Sequence, residues 1–441
     1  MSIYSYFKQW FKDFLEIFDK ELGEIFHDSG AMLIFFFAGI LYPLMYNGIY
    51  YHGLLDKTNI AVVDNADCPE SREYIREIDA TRECNVKTKC TDIEQAKKLM
   101  EKGKIHGIVY FPADYGERLN RKDQAFIYIY ADMSSFLYYK DAMMSVNHVM
   151  ISQLHDIQIE RYREAGISGE AAQMNVKPLQ YDEEYPYNKA FSYQIFICTA
   201  ILLVIMQQTM FYGMALISGT QREEKRSYAK LISERKGAGA GRIILARGSV
   251  YGMIYLALTL YVLTIVPRIF GLPQMGGFGD LFGLSVIFVI DCVFFSMFWS
   301  SFITRRESIF MLFLFMSPIC LFLTGFAWPW YSMPKFYQVF SYLLPTTFGV
   351  QTFMNISCAG ADLVTCHDAI ITLTIQSIAY CLLTCLTIYI EDWIIRHRAQ
   401  LQEAKEKLAE KAGVDIEENL RIIGGEEAVE RYRQEHQQQQ K

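Results

Sequence analysis

Apolar residues in this chain gather into six long runs. They are Ala31–Tyr51, Phe191–Ser218, Gly248–Val266, Leu281–Phe302, Ile309–Phe326 and Ile371–Ile390. A helix needs about 20 mostly apolar residues to cross the hydrocarbon core of a bilayer, so each run predicts a transmembrane helix. One run stands alone near the N-terminus, five crowd together towards the C-terminus, and a mostly polar stretch separates them. The pattern predicts an α-helical membrane protein: six transmembrane helices with an inserted extracytoplasmic α/β domain.

The polar stretch alternates strand and helix signals. Asn59–Asp64 reads as a strand and Cys68–Thr81 as a helix opened by Asp64-Asn65 and Pro69. Ile93–Lys102 reads as a helix capped by Thr91 or Asp92, and Ile105–Phe111 as a strand. A short helix follows from Pro112 to Leu119, then a strand over Phe126–Tyr130 and a long helix over 135–165. Before the first run, Trp10, Phe14, Ile17, Phe18, Leu22 and Ile25 recur at helical spacing between charged residues, which predicts an amphipathic helix lying in the membrane interface. Residues 1–30 are thus a cytoplasmic amphipathic interface helix, 31–52 the first transmembrane helix and 53–188 the extracytoplasmic domain. Residues 189–391 hold helices 2–6, with a coupling loop at 219–247 and an external re-entrant segment at 327–345, and 392–441 form a cytoplasmic tail.

Composition refines this. The 441 residues are 52% hydrophobic, a level that soluble proteins also reach, so the runs carry the argument rather than the percentage. A net charge of −7 without a basic arm speaks against nucleic acid as a partner. The first run follows charged sequence and precedes no small-residue cleavage site, so it stays as an anchor. Orientation follows basic residues in short loops. Arg222, Lys225, Arg226, Lys230, Arg235, Lys236, Arg242 and Arg247 follow the second run, Arg305 and Arg306 the fourth, and Arg396 and Arg398 the sixth. Both termini are therefore expected in the cytoplasm. Cys68, Cys84, Cys90, Cys358 and Cys366 then fall outside, with Cys84/Cys90 and Cys358/Cys366 as candidate disulfides and free thiols as the alternative. Neither pair has metal-binding spacing.

Catalytic patterns are missing: no GxxxxGK[ST] phosphate loop, no HExxH and no GxSxG. Gly237-Ala-Gly-Ala-Gly241 lacks the Lys-Ser/Thr of a phosphate loop and reads as a flexible break. The chain is not expected to be an enzyme or to bind a cofactor, so any energy must come from a partner or an ion gradient. The loop Gly219–Arg247 is too charged for the membrane and has a helical core from Glu223 to Arg235, with Leu231 and Ile232 as an apolar knob. It suits a handle that a cytoplasmic motor grips, or a solvated loop whose charges only fix topology.

Glu223-Glu224-Lys225 after the second run resembles the acidic-basic loop of ABC-2-type transporter permeases. Other tracts agree in order: Lys20-Glu21…Asp28, Ala61-Val62-Val63-Asp64, Ser71-Arg72-Glu73-Tyr74 and Gly107-Ile108-Val109…Pro112. Ser301-Phe302…Arg305-Arg306 follows, then Gly325-Phe326-Ala327-Trp328-Pro329…Met333-Pro334 and Leu344-Pro345-Thr346-Thr347. The resemblance covers nearly the whole chain and is closest to bacterial exporters with a large external domain. It implies a separate ABC ATP-binding subunit, a second permease subunit and often a periplasmic adaptor protein. It also implies ATPase coupling through Glu223, Glu224, Lys225, Arg226 and Leu231. The chain departs from the family at Arg226-Ser227-Tyr228, where a Gly-Thr is common.

Three further features are candidates for the transport path. Trp328–Tyr342 is aromatic, too short to span and broken by Pro329 and Pro334. It reads as an external gate, with Trp328, Pro329, Met333, Pro334 and Pro345 as its markers, or as an aromatic interfacial belt. Asp291 is the one acid deep in a predicted span, a pathway contact or a carboxyl bonded to a neighbouring helix. Gln207 and Gln208 are pathway lining or polar glue. The leading expectation is the permease subunit of a bacterial exporter in the inner membrane, moving an amphipathic or hydrophobic substrate outward. The alternatives are a membrane receptor or scaffold whose external domain binds without transport, and an ion-coupled carrier, which needs more intramembrane charge than Asp291.

Overall fold

The structure, a computed structural model, describes residues 3–51, 53, 57–167, 169–179, 188, 192–224, 240–411 and 430. The chain forms two compact units, residues 50–194 and residues 1–49 with 195–441. Helix α1 (Ile3–His27) runs the length that its amphipathic spacing predicts. It stops at Asp28, whose extended backbone lets Oδ1 accept the Gly30 and Ala31 N–H groups at 2.8 and 3.1 Å. That N-cap satisfies first-turn donors and starts α2 (Ser29–Ile49). A π-helical turn at Leu33–Ala38 interrupts α2 and holds the buried Phe35.

The α/β unit is a four-stranded mixed sheet in the order β2-β1-β3-β4. Strands β1 (Thr58–Asp64), β2 (Cys84–Cys90) and β3 (Gly107–Phe111) are parallel, and β4 (Tyr128–Ala131) is antiparallel to β3. Parallel pairing needs crossovers, which α3 (Pro69–Ala80) and α4 (Ile93–Glu101) supply. The short α5 (Tyr115–Asn120) precedes β4, and α6 (Phe136–Glu164) and α7 (Glu170–Val176) follow it. The two faces of β1 alternate as a strand's must. Ile60 and Val62 pack with Tyr74, Ile78 and Val146, while Ala61 and Val63 pack with Ala96 and Ile108. The ends of the unit meet where the Tyr193 N–H donates to the Gly53 carbonyl at 2.7 Å.

Strand β2 corrects the cysteine expectation. Cys84 and Cys90 stand at opposite ends of it, about 20 Å apart at the rise of a strand. A disulfide needs Cα atoms within about 7 Å. A bulge adds to the separation: Ile60 pairs with Val86 but Ala61 with Thr88. The extra residue turns Cys84 to the α3 side of the sheet and Cys90 to the α4 side. Cys358 and Cys366 are free thiols as well. Asp92 takes the N-cap position of α4, but its side chain makes no capping bond.

The helical unit continues with α8 (Tyr193–Glu223), α9 (Ala240–Phe270) and α10 (Phe278–Ser300). It is completed by α11 (Ser308–Leu323), α12 (Lys335–Ser341), α13 (Pro345–Ala359) and α14 (His367–Lys411). Helix α9 starts eight residues before the expected third span and absorbs Gly241, part of the expected break. Among the described residues, five helices are long and apolar enough to cross a membrane: α2, α8, α9, α10 and the part of α14 up to His397. The expected fifth span, α11, has only 16 residues and contains Pro318.

Helix α8 is the centre of the unit. Its apolar window is 88% buried, against 28% for both α2 and α14. Phe35 lies so close over Gly213 of α8 that a Cβ there would sit 2.0 Å from its ring, and it meets Tyr251 and Tyr255 edge-on. Helix α13, which the apolar runs do not announce, is buried at ten of its fifteen residues and packs on α10 and α14.

Candidate functional site

The charged ends of several helices converge where α8 finishes. Along α1, Asp13, Ile17, Glu21 and Ile25 follow one another every four residues, so they share a face, and all four are buried. That face packs on α9. Arg242 Nη1 lies 2.5 Å from Asp13 Oδ2, and Arg247 Nε lies 2.9 Å from Glu21 Oε1. The Tyr251 hydroxyl donates to the same Glu21 oxygen at 2.7 Å, and Gln221 of α8 donates to Glu21 and Glu24. Buried charges are tolerated only when paired and hydrogen-bonded, and these acids are.

Two arginines tie the remaining ends. Arg306, in the turn between α10 and α11, grips Asp28 with both Nη atoms at 2.6 and 2.9 Å and donates to Thr220 Oγ1 at 3.1 Å. Its backbone N–H donates to Glu223 Oε1 at 2.9 Å. Gly219 permits this approach: a Cβ there would lie 3.1 Å from Arg306 N. Burial alone would raise the Asp28 carboxyl, but the Arg306 guanidinium and the capped N–H groups outweigh it and hold the group below its ordinary value. Arg222 donates to the Ser300 and Ile303 carbonyls at 3.0 and 2.5 Å and pairs with Glu391 of α14 at 2.6 Å. A cavity of about 600 Å³ opens beside this network, lined by residues that include Lys20, Glu24, Gln221, Glu224 and Arg306.

Of the coupling residues expected from sequence, Glu223 is in this network and Glu224 lines the cavity. Lys225, Arg226 and Leu231 lie outside the described residues. The network itself rests on Asp13, Glu21, Asp28, Arg222, Arg242, Arg247 and Arg306. In the sequence, Arg222, Arg242, Arg247 and Arg306 stand out as topology-setting charges. The available signal was the acid-Ile-acid-Ile stripe of α1, whose acids sit where an amphipathic helix should be apolar.

At the opposite end of α11, Thr324 and Gly325 (φ +80°) turn the chain away from the helix axis. Trp328 is exposed and Met333 buried, and Pro334 precedes α12. Trp330 Nε1 donates to Ser341 Oγ at 2.9 Å, and Gln351 of α13 donates to the Thr324 carbonyl at 3.1 Å. Pro345 opens α13. Gln207 and Gln208 each bond to a different helix. Gln207 Oε1 accepts the Thr346 N–H at 2.7 Å, while Gln208 exchanges bonds with the Ser317 hydroxyl and carbonyl at 2.9 and 3.2 Å. Asp291 is fully buried in α10, and neither of its carboxylate oxygens has a hydrogen-bond partner among the described residues. The structure therefore ties Gln207 to the start of α13 and Gln208 to α11, and Asp291 hydrogen-bonds to neither among the described residues.

The family profile described as ABC-2 family transporter protein matches residues 31–388, which run from the first turn of α2 through the α/β unit into α14. The chain belongs to the ABC-2 transporter family. It is the multi-pass membrane permease component of an ABC transporter, and in such proteins ATP is hydrolysed by a partner ATP-binding subunit within a dimeric arrangement. No curated protein matches the chain significantly. In this ABC-2 permease the network around Arg222 and Arg306 gathers the ends of several helices. It contains charge, burial and connections to α1, α2, α8, α9 and α14, and among the described residues no cluster suited to a metal.

Proposed function

We propose that this ABC-2 permease exports an amphipathic or hydrophobic substrate from the cytoplasm of a bacterium, driven by ATP hydrolysis in a separate subunit. Two permease subunits enclose the path in the cytoplasmic membrane. Both termini and the Arg222/Arg306 network face the cytoplasm, the side favoured by the basic residues at Arg222, Arg242, Arg247, Arg305, Arg306 and Arg396. The α/β unit and the Trp328–Ser341 segment then lie outside. Helix α11, at about 24 Å, falls short of the roughly 30 Å hydrocarbon core. Together with the buried α13 it makes the sixth crossing as a broken element, which a membrane tolerates only inside protein or along a cavity.

The observation that carries this reading is the end of α8. Glu223 and Arg222 bind the α10–α11 turn and α14, so a push on the segment after Glu224 reaches several crossings at once. Purification of the tagged permease from its native host should retain an ATP-binding subunit with ATPase activity. Changing Glu223 and Glu224 together to alanine should lower that activity at least fivefold. Failure to retain an ATPase, or unchanged activity in the double variant, would remove the proposal.

A further inference from the structure

We propose that the hydrogen bond from the Thr346 N–H to Gln207 is the joint through which movement of α8 reaches α13, the helix that follows the gate segment. The inference rests on the exporter reading given above. Helix α13 begins at Pro345 after Leu344, a residue with no side chain able to cap it. In its first turn Pro345 has no N–H and the Thr347 N–H donates to the Leu344 carbonyl at 3.1 Å, which leaves the Thr346 N–H without a partner inside the helix. Thr346 is fully buried, so water does not satisfy its N–H, and the acceptor is Gln207 of α8, 139 positions away in sequence. Helix α13 is thus capped from outside by the helix that ends at Glu223.

Geometry makes α8 a suitable rod. It is continuous from Tyr193 to Glu223. The rise from Gln207 to Glu223 is about 24 Å at 1.5 Å per residue. One end is bound to Arg306 through Glu223, and the middle holds α13 through Gln207 and α11 through Gln208. A second observation concerns α13 itself. The hydroxyls of Thr346, Thr352 and Ser357 are buried and have no partner among the described residues. Stranded hydroxyls make this packing less favourable than a fully paired core. Because the bond at Thr346 is to the backbone, it constrains the helix axis rather than one side chain. Gln207 is therefore a positioning residue.

The test uses the assembled complex of permease and ATPase subunit, and the partly exposed thiol of Cys358 on α13 as reporter. Maleimide labelling of Cys358 is read by peptide mass spectrometry, nucleotide-free and with ATP and vanadate. The wild type should show at least a threefold change in labelling rate between the two states. Gln207→Leu, which removes the acceptor, should abolish that change while ATP hydrolysis continues. Gln207→Glu, which keeps an acceptor, should retain it. Thr346→Pro removes the donor from the other side, in the first turn where proline is tolerated, and should behave as Gln207→Leu. The proposal is overturned if Cys358 labelling does not change in the wild type. It is equally overturned if the leucine and proline variants that assemble keep the change, even with lowered melting temperatures. Failure of the wild type to hold an ATPase refutes the exporter reading instead, so the two failures are distinct.

Discussion

Asp13 of the first helix and Arg242 at the start of α9 form an ion pair 2.5 Å long, with side chains only 7% and 6% exposed. Removing one partner strands the other charge in a buried site, which costs about 3–5 kcal/mol in comparable pairs. Asp13→Ala should therefore lower the melting temperature of the purified permease by several degrees, and Arg242→Ala should do the same. Replacing both with apolar residues, Asp13→Leu with Arg242→Met, should recover most of the loss. A double variant no more stable than the sum of the singles would show that the pair does not hold α1 to α9.

Arg222 makes three directed contacts, to two carbonyls and Glu391. A lysine keeps the charge but not the planar fork that reaches all three. Arg222→Lys should leave the permease folded and bound to its ATPase while reducing ATPase activity of the complex several-fold. Full activity in that variant would mean that the charge alone suffices.

Gly213 and Phe35 are in steric contact, so a methyl group at 213 forces the ring aside. Overpacking of this kind costs about 1–3 kcal/mol. Gly213→Ala should reduce yield and melting temperature, and Phe35→Leu in the same chain should restore them. Thermal unfolding followed by intrinsic fluorescence distinguishes rescue from simple addition of two losses.

Burial pushes the Cys84 thiol up to about 11, so it stays protonated and unreactive near neutral pH. Alkylation of the native protein at about pH 8 should modify Cys68 well before Cys84, and non-reducing peptide mapping should find no Cys84–Cys90 link. A recovered link would contradict the strand assignment of β2.

Asp132 is held at about 2, mainly by its hydrogen bond with His106 at 3.0 Å and then by Ser134. A depressed carboxyl stabilises the fold above its unfolded value, near 4, and loses that contribution as the pH falls towards about 2. Asp132→Asn should therefore destabilise the α/β unit at neutral pH, with the difference shrinking below about pH 4. Hydrogen exchange of the β3 and β4 amides measures this directly, and a pH-independent difference would assign the effect to packing.

Much of this architecture was legible because a bilayer and a strand impose fixed periods. The long runs located α2, α8, α10 and α14, and the alternation in NIAVVD and IHGIVYF located β1 and β3. Strand β2 was not legible: it lies at a sheet edge, and Lys87 and Lys89 give it the charge that edge strands carry. Helix α13 was hidden because Thr346, Thr347, Thr352 and Ser357 dilute its apolar character, although burial by α10 and α14 decides its fate. In the candidate site, Glu223 could be named from its motif. The acids of α1 could not be matched to Arg242 and Arg247 across more than 220 positions, because pairing at that range is set by tertiary packing.

The enclosure of α8 has a bearing on biogenesis. This helix leaves the ribosome before α9 to α14 exist, yet nearly nine-tenths of its apolar window ends up covered by other parts of the chain. Gln207 and Gln208 find their partners on α11 and α13, more than a hundred residues later in synthesis. Until those arrive, the two amides lack the partners they have in the finished fold. A chain interrupted after α10 would present this polar pair to membrane quality control, so the same residues that join the finished helices also mark an unfinished one.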